Sequence, residues 1–481
     1  MPQTPKLPYG SPTILSGLSE TFSFHSSPEN FITSRVLAFH KAHPAAAASR
    51  TPIHAKILSR NVAVISSYDH VRQVLCDEEI IARLCSSQAY NDLMAPFFPP
   101  PNLLLLDPPD HHTAKEPWEG RMAGLICNIR PSVHETVLDH FRTVIPTSTV
   151  DIYESMKTLS WKLLLSIFLP GEDKANSEIE SLHEDLLRGQ FSLFPISVNT
   201  SFWRSPRSKG LDARRTLESI LSSKVTNGKC PFTVNNPDEA KDIANHLLLF
   251  TSSLAAKGLA SLLTAVLLNL FLFKGNGSSI ANQIHDLNNN DERYDRIQSM
   301  VRETQRLSPP VVGIMRRTTQ DIILHPAIDQ GESESPSPTL VPKGWDLWLY
   351  FVGAARDPAA FGDTAENFVP SRYSKQCPDP EGFAFGAGAK ACLGKYLMNS
   401  VAVTVAAACL GLDQNASTTE LPTSVAVDIR ADLKVIPAGV RSWLGWEAGI
   451  KPEEWARDMK QLPTQRPRKP LMVKVIYHES P

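Results

Sequence analysis

Hydrophobic and polar positions divide the chain into short strand-like runs and long helix-like runs. Residues 53–58 and 62–66 are short apolar runs separated by three polar residues, the pattern of two strands joined by a turn. Two more strand-like runs lie at residues 321–324 and 345–352. Helical patterns dominate elsewhere, so the sequence predicts a mainly α protein with small β-sheets, the α+β class.

The longest apolar run covers residues 247–273 and carries a single charge, Lys257, near its middle. It is long enough to cross a bilayer. A central lysine costs about 2.5–3.5 kcal/mol on insertion scales, which the leucines can offset. Composition alone therefore leaves two interpretations open, a membrane span and a buried core helix.

Proline and polar residues mark the irregular parts of the chain. Prolines cluster between residues 96 and 109 and break regular structure there. Residues 327–339 are polar and interrupted by proline, which predicts a surface loop within a small sheet. We expect residues 1–50 to form an irregular N-terminal segment.

Composition and charge narrow the range of partners. The net charge is −2 with both signs interspersed, so nothing favours nucleic acid or anionic lipid. The seven cysteines form no CxxC pair, which favours reduced thiols inside the cell. The N-terminus has the pattern of neither a signal peptide nor an apolar anchor. We therefore expect an intracellular, cytoplasmic monomer without a membrane anchor.

One cysteine differs from the others in its surroundings. Cys392 follows a glycine-rich segment, residues 385–391, and precedes an apolar stretch, residues 393–410, that can start a helix. Glycines let the backbone adopt conformations closed to other residues and let a flat partner approach closely. A thiol at a helix N-terminus is biased toward the thiolate, which is a ligand of haem iron. We therefore predict that Cys392 ligates a haem.

The segment resembles the haem-binding loop of the cytochrome P-450 (haem-thiolate) superfamily, whose pattern is F-x-x-G-x-x-x-C-x-G. Phe385, Gly388, Cys392 and Gly394 match its fixed positions. The family usually has Arg or His two residues before the cysteine, where it binds a haem propionate, and this chain has Lys390. The charge is kept, but lysine lacks the planar fork of arginine.

This resemblance carries several expectations. It implies a single domain over residues 1–481 with the P-450 fold, a triangular prism. It implies haem b as the cofactor, with the Cys392 thiolate as axial ligand, and a reductase as electron donor. It also implies that residues 247–273 form a long buried helix that crosses over the haem.

A second motif supports the resemblance. Glu303 and Arg306 lie on one face of a helical segment that ends before Pro309. They resemble the E-x-x-R motif of the same family, whose partner is the arginine of a later F-x-P-x-R segment, here Arg372. The resemblance implies that these three side chains form a buried charge network behind the cysteine loop.

Haem propionates need cationic partners. Arg316 matches the usual propionate arginine of the family, and Val312, Gly313 and Ile314 just before it would face the substrate. We therefore expect this segment to contribute to both cofactor binding and substrate contact.

A second propionate partner is expected on a helix around residues 111–121. This segment resembles the helix that binds the other propionate and offers His111 and Arg121. The usual W-x-x-x-R spacing is one residue short here, because Trp118 and Arg121 are only three apart.

The long apolar run departs from the family. Its monooxygenases usually carry there an A/G-G-x-D/E-T pattern, in which an acid and a threonine organise proton delivery. Aligning the following leucines puts Lys257 in place of the acid and Gly258 in place of the threonine, with Ala255 beside the substrate. Thr251 and Ser253 lie about one turn earlier and could restore a hydroxyl.

Three functions from different classes stay open. The first is a monooxygenase that acts on an apolar small organic molecule, in specialised-metabolite biosynthesis. The second, prompted by Lys257 and Gly258, is oxygen-independent chemistry such as hydroperoxide rearrangement or dehydration, or a peroxide-driven reaction. The third is a non-enzymatic haem sensor or electron carrier, for which the apolar segment 311–315 would have little use.

Overall fold

The structure is a computed structural model, and it describes residues 2, 4–5, 14–42, 51–57, 60–143, 149–171, 173–192, 197–198, 203–275, 277–325, 338–374, 380–412, 426–428, 459–460, 464–468, 470–474 and 476–478. The predicted surface loop, residues 327–339, lies outside the described residues except for its last two positions.

Helices make up most of the described chain. They are α1 Ile14–Ser26, α2 Pro28–Ala42, α3 Tyr68–Cys76, α4 Glu78–Ile81, α5 Gln88–Met94, α6 Asp110–Ile126, α7 Ile129–Thr143, α8 Ile152–Phe168, α9 Asp173–Gln190, α10 Pro206–Thr226, α11 Pro237–Phe250, α12 Ser253–Phe271, α13 Ile280–His285, α14 Asn290–Leu307, α15 Phe351–Ala354, α16 Pro358–Phe361 and α17 Lys395–Cys409.

The strands are short. They are β1 Ile53–Ile57, β2 Arg60–Ile65, β3 Leu84–Ser86, β4 Thr149–Asp151, β5 Lys274–Gly275, β6 Ser278–Ser279, β7 Gly313–Thr318, β8 Ile322–Leu324, β9 Thr339–Val341, β10 Asp346–Tyr350, β11 Ala426–Asp428, β12 Met459–Lys460, β13 Arg466–Pro467, β14 Met472–Lys474 and β15 Ile476–His478.

The largest sheet has five strands in the order β1-β2-β10-β7-β3. The strands β1 and β2 form an antiparallel hairpin, β10 runs parallel to β2, and β7 runs antiparallel to both β10 and β3. Every residue of the central strand β10 is buried. The four strand-like runs of the sequence are thus confirmed as strands, with small shifts at their ends. The pair β8 and β9 forms a separate two-stranded sheet.

The prediction of an irregular N-terminal segment is wrong for residues 14–42, which form α1 and α2. Phe24 of α1 lies edge-on to Trp348 of β10, with ring centroids 5.1 Å apart. Phe31 of α2 lies 5.8 Å from Phe24 in the same way. These rings join a buried apolar cluster with side chains of β1 and β2. Tertiary burial stabilises the two helices, which the local pattern does not show.

The helical core surrounds α12. This helix packs against α8, α9, α14 and α17, and all of its residues from Leu259 to Leu270 are buried. It has the length and the apolar composition to cross a membrane, but the core helix of a soluble protein passes the same test, and most of α12 is buried here. The packing favours the core-helix interpretation.

The predicted single helix over residues 247–273 is two helices. The first, α11, ends at Phe250, and α12 begins at Ser253. The Ser252 hydroxyl accepts a hydrogen bond from the Ala255 N–H at 3.2 Å and caps α12. The Thr251 hydroxyl donates back to the Leu247 carbonyl at 2.8 Å. Hydroxyl side chains that bond to the nearby backbone therefore interrupt the apolar run.

Candidate active site

The Cys392 loop is held in one shape by glycine and by its own backbone. Gly388 has a φ of +65°, and a methyl group there would lie 1.9 Å from the carbonyl oxygen of Leu75 in α3. Only glycine fits this approach. The Cys392 N–H donates to the Phe385 carbonyl at 2.8 Å and closes the loop. Cys392 is thus placed directly before α17.

The thiol of Cys392 is both exposed and closely surrounded by protein. Its side chain reaches solvent, yet protein surrounds it closely enough that burial raises the pKa of the thiol. The Gly394 N–H and the charge of Lys115 act in the opposite direction. A thiolate at this position therefore needs further positive charge, which a bound metal ion supplies.

Cationic side chains gather beside this loop. Lys390 donates to the Leu106 carbonyl at 2.5 Å and to Asp107 Oδ1 at 3.2 Å. Lys115 of α6 donates to the Ala389 carbonyl at 3.2 Å. Burial lowers the pKa of Lys390, and the nearby charge of Arg316 lowers it further. The crowding of like charges makes this corner a site for an anionic group.

His111 of α6 completes the cluster. It is 4% exposed, and its Nδ1 atom has no hydrogen-bond partner. Burial lowers the pKa of His111 to about 4, followed by the charges of Lys390, Lys115 and Arg316. An acceptor such as a carboxylate would relieve both the like-charge repulsion and the missing hydrogen bond.

The donor set fits a haem. Lys390, Arg316 and Lys115 gather with the buried His111 beside Asp107, and Lys115 also pairs with the exposed Glu119 at 3.3 Å. The cations outnumber the carboxylates, as the binding of propionates requires. The glycine loop presents a thiol beside them. Cys392 would hold the iron, and Lys390, Arg316, Lys115 and His111 would hold the propionates.

Behind the loop, Glu303 and Arg306 form a buried ion pair. The Glu303 carboxylate accepts from Arg306 Nη2 at 2.7 Å and from Nε at 2.8 Å, and both side chains are fully buried. Arg306 also donates to the carbonyls of Ala355, Ala365 and Asn367 at 2.5, 2.7 and 3.0 Å. The carboxylate and the three carbonyls together compensate the cost of removing the charged guanidinium of Arg306 from water.

Arg372 joins the same network. Its Nε lies 3.6 Å from Glu303 Oε1, and its guanidinium donates to the Thr364 hydroxyl at 2.6 Å. The Val369 N–H donates to Glu303 at 2.9 Å. The network also lies close to the residues that precede the Cys392 loop, since a methyl group at Gly382 would lie 3.0 Å from Arg306 Cα. The structure thus brings together the three residues that the motifs predicted.

One face of α12 is open. Leu254, Ala255 and Gly258 are only half-buried, whereas Ala256 and Leu259 are buried. A methyl group built on Gly258 would meet nothing within 4 Å. Ala255 and Gly258 are therefore half-buried neighbours on α12, with open space beside Gly258, and their contact with a ligand stays a prediction.

Lys257 and Ser253 lie on a different face of α12. Successive residues of a helix are about 100° apart, which turns both side chains away from Gly258 and toward α9. There Lys257 Nζ donates to Glu184 Oε2 at 3.0 Å, and the Ser253 hydroxyl donates to Glu184 Oε1 at 2.5 Å. Burial lowers the pKa of Lys257, and Glu184 opposes this effect. Lys257 is thus engaged by Glu184, and its role in oxygen activation stays a prediction.

Thr251 is also engaged elsewhere. Its hydroxyl lies 3.1 Å from Nε2 of His183 on α9, and both residues are fully buried. A hydroxyl from the preceding turn therefore does not compensate for Gly258. The predicted oxygen-activation region divides into an open face, without a hydroxyl or an acid, and a second face that is bonded to α9.

Other predicted residues lie away from the cluster. Arg121 pairs with Glu239 at 3.3 Å and covers the ring of Trp118, so its predicted propionate contact finds no support. Val312 is 1% exposed and packs in the apolar cluster that contains Phe24 and Phe31, so the structure gives its predicted substrate contact no support. A methyl group on Gly313 would lie 2.3 Å from the Leu349 carbonyl, so this glycine serves the sheet. Ile314, two residues before Arg316, packs partly buried against the cluster around Leu75.

Three site residues escaped the sequence reasoning. Asp107 accepts from Lys390 and from the Ser86 backbone N–H at 2.9 Å. Tyr90 of α5 lies partly buried near Arg316, and the protein around its hydroxyl raises its pKa to about 12. Glu184 lies on a charged surface helix where no motif distinguishes it. Only the position of Asp107, just before the helix of His111, offered a signal in the sequence.

A flat, anionic cofactor whose metal accepts a thiolate would engage both the Cys392 thiol and the cation cluster beside it. The class is therefore that of the haem-thiolate proteins. The family model described as cytochrome P-450 matches residues 296–405, which contain the Glu303 network and the Cys392 loop. Together with the relatives and solved structures described next, this match shows that the chain belongs to the cytochrome P-450 superfamily.

Curated relatives match mainly in the same region. Cytochrome P-450 52C1 of Candida tropicalis is 34% identical over 107 residues, 22% of this chain and 20% of that protein. Cytochrome P-450 monooxygenase milC of Cordyceps militaris is 29% identical over 146 residues, 30% of this chain and 27% of that protein. Taxane 13-alpha-hydroxylase of Taxus cuspidata is 22% identical, covering 46% of this chain and 49% of that protein. The chain spans about a fifth of the length of the first of these relatives.

Solved structures extend the likeness to the whole fold. Retinoic acid bound cyanobacterial CYP120A1 has a TM-score of 0.68 at 17% identity and covers 99% of this chain and 100% of that chain. Cytochrome P-450SP alpha has a TM-score of 0.63 at 15% identity and covers 96% of this chain and 99% of that chain. Identities this low show the fold alone, and the predicted P-450 fold is confirmed.

Proposed function

We propose that the protein is a haem-thiolate monooxygenase that oxidises an apolar small organic molecule with electrons from a partner reductase. The observation that carries the proposal is the Cys392 thiol on its rigid loop beside the cluster of Lys390, Arg316, Lys115 and His111. When bound there, haem b supplies the oxidising chemistry.

The side chains around the cofactor have separate tasks. Cys392 would ligate the iron, and the cluster would neutralise and orient the propionates. The Glu303 network would keep the loop in place, because the ion pair and its carbonyl partners bind α14 to the segment 355–372. Leu254 and Ala255 would offer an apolar contact to a substrate, since they lie on the open face of α12.

The proposed substrate class follows from the open face of α12 and from the relatives. The open face of α12 carries no charge, which suits an apolar molecule. One relative is named as a hydroxylase of a taxane and another as a monooxygenase. We therefore propose hydroxylation, epoxidation or oxidative bond formation on a specialised metabolite.

A second candidate function has its own observation. The open face of α12 has Gly258 where a threonine is usual, and Lys257 is bonded to Glu184 on another face. Proton delivery would then depend on ordered water or on the substrate. This favours, as the alternative, a peroxide-driven reaction or a rearrangement that needs no oxygen.

Two experiments separate these functions. The reduced protein with carbon monoxide should give the strongly red-shifted Soret band of thiolate ligation, and its absence would remove the haem-thiolate assignment. Product formation is then compared with oxygen and a reductase, with peroxide, and without oxygen. We expect turnover with oxygen and a reductase only. Turnover without oxygen or reductant would replace the monooxygenase proposal by the alternative.

A further inference from the structure

A cleft with no residue of the Cys392 loop in its wall lies between the start of α8, the N-terminal part of α12 and the strand β13. Its volume is about 380 Å³, within the range of about 300–1,000 Å³ that small-molecule sites occupy. Pro467 and Pro470 add apolar surface. Its charged wall residues are Asp151, Glu154, Lys157, Lys257, Arg466 and Arg468. We call it the Arg466 cleft.

The carboxylates around the cleft already have partners. Glu154 accepts from Lys157 at 3.2 Å, and Glu184, behind the wall, accepts from Lys257 at 3.0 Å. Asp151 caps α8 by accepting from the Tyr153 N–H at 3.0 Å. The two lysines and the N-terminus of α8 therefore offset part of the negative charge of these carboxylates.

Arg466 is left without a counter-charge. Within the described part of the chain, its guanidinium makes no hydrogen bond and no ion pair, and it is half-buried. Its charge acts on both Tyr153 and Lys257, which shows that these three side chains surround the same space. A half-buried guanidinium has five N–H donors in a fixed fork, which suits a planar carboxylate.

A buried hydroxyl adds an independent observation. Tyr153 lines the cleft and is 7% exposed. Its hydroxyl lies beside that of Thr464, but among the described residues neither oxygen has a hydrogen-bond partner of acceptable geometry. Buried hydroxyls without a partner are costly, and an acceptor placed in the cleft would satisfy the donor of Tyr153.

We propose that the Arg466 cleft binds a small organic carboxylate. Arg466 would hold the carboxylate through its fork, Tyr153 would donate to it, and the two prolines would contact the apolar body of the molecule. A monoanion fits better than inorganic phosphate, because Asp151 and Glu154 would repel a second negative charge. This proposal is independent of the reaction at Cys392.

Benzoate is a suitable probe, and benzamide is its neutral counterpart. Binding is measured by calorimetry and by ligand-observed NMR on the protein as purified, with and without a saturating azole that blocks the haem. We expect saturable benzoate binding that the azole leaves unchanged and that is at least about tenfold tighter than that of benzamide or phosphate.

Substitutions locate the site. Arg466→Gln should weaken benzoate binding by about tenfold or more, and Tyr153→Phe by about threefold. Arg215→Gln, an exposed arginine of α10 that pairs with Asp212 at 3.0 Å, is the matched control and should bind as the wild type. Equal affinity for benzoate and benzamide, loss of binding with the azole, or full binding in Arg466→Gln would each overturn the proposal. If Arg466→Gln does not fold, full binding in Tyr153→Phe does the same.

Discussion

The two sides of the candidate haem site differ in how completely their residues are paired. On the Cys392 side, Glu303 has contacts to two arginines and a backbone N–H, and Gly388 has no room for a methyl group. On the α12 side, Gly258 has open space around it. The comparison teaches that many local contacts fix the side that would hold the cofactor. The side that would meet the substrate has few such contacts, so its structure does not specify one reaction.

The largest expected effect is a loss of haem incorporation when the ion pair of Glu303 and Arg306 is removed. Glu303→Ala leaves Arg306, which is 1% exposed, buried without its carboxylate, at a cost of about 3–5 kcal/mol. We expect the variant to incorporate no haem, measured as the ratio of haem to protein absorbance. Glu292→Ala, at the exposed start of the same helix, is the control and should load normally. Normal haem content in Glu303→Ala would contradict the structural role of the network.

The next effect is a spectral change when Cys392, the candidate ligand of the haem iron, is replaced. Cys392→His should keep haem but lose the red-shifted Soret band of the reduced carbon monoxide complex, because an imidazole replaces the thiolate. Cys127→Ser, an exposed cysteine at the end of α6, should keep the band. If Cys392→His retained it, another cysteine would be the ligand.

A smaller effect is expected on the pH dependence of stability, through the buried His183 of α9. Burial lowers the pKa of His183 to about 3, below its value of about 6.5 in an unfolded chain. As the pH falls below about 6.5, the unfolded chain takes up the proton first, so stability is lost by up to about 1.4 kcal/mol per pH unit.

His183→Gln removes this titration and keeps a donor for Thr251. Denaturant unfolding between about pH 7 and pH 5 should therefore show a shallower decline in the free energy of unfolding than in the wild type. His112→Gln, an exposed neighbour of the cation cluster, should follow the wild type. An unchanged slope in His183→Gln would mean that His183 is not buried in neutral form.

The smallest effect on stability tests the open face. Gly258→Thr should change the free energy of unfolding by less than about 0.5 kcal/mol, since the site has room and threonine is the slightly better helix former. Ala256→Thr, on the buried face, should cost about 1–3 kcal/mol through overpacking. If the protein is a monooxygenase, Gly258→Thr should also raise the fraction of consumed electrons found in product. Equal destabilisation by the two substitutions would remove the distinction between the faces.

Motifs predicted the paired side well because their residues are close in the chain or fixed by backbone shape. Glu303 and Arg306 are one helical turn apart, and the Cys392 loop is closed by a hydrogen bond to Phe385. Motifs could not predict side-chain partners that lie far apart in the sequence. Asp107 reaches Lys390 across more than 280 residues, and Glu184 reaches Lys257 across 73.

By itself the sequence determined the mainly helical class, three of the five strands of the large sheet (β1, β2 and β10), Cys392 as the candidate ligand and the Glu303 network. Only the tertiary structure decided that residues 14–42 are helical, that residues 247–273 form two helices, and that Lys257 turns toward α9. The physical reason is that local motifs carry their own geometry. The direction of a side chain on a buried helix instead depends on which distant elements pack around it.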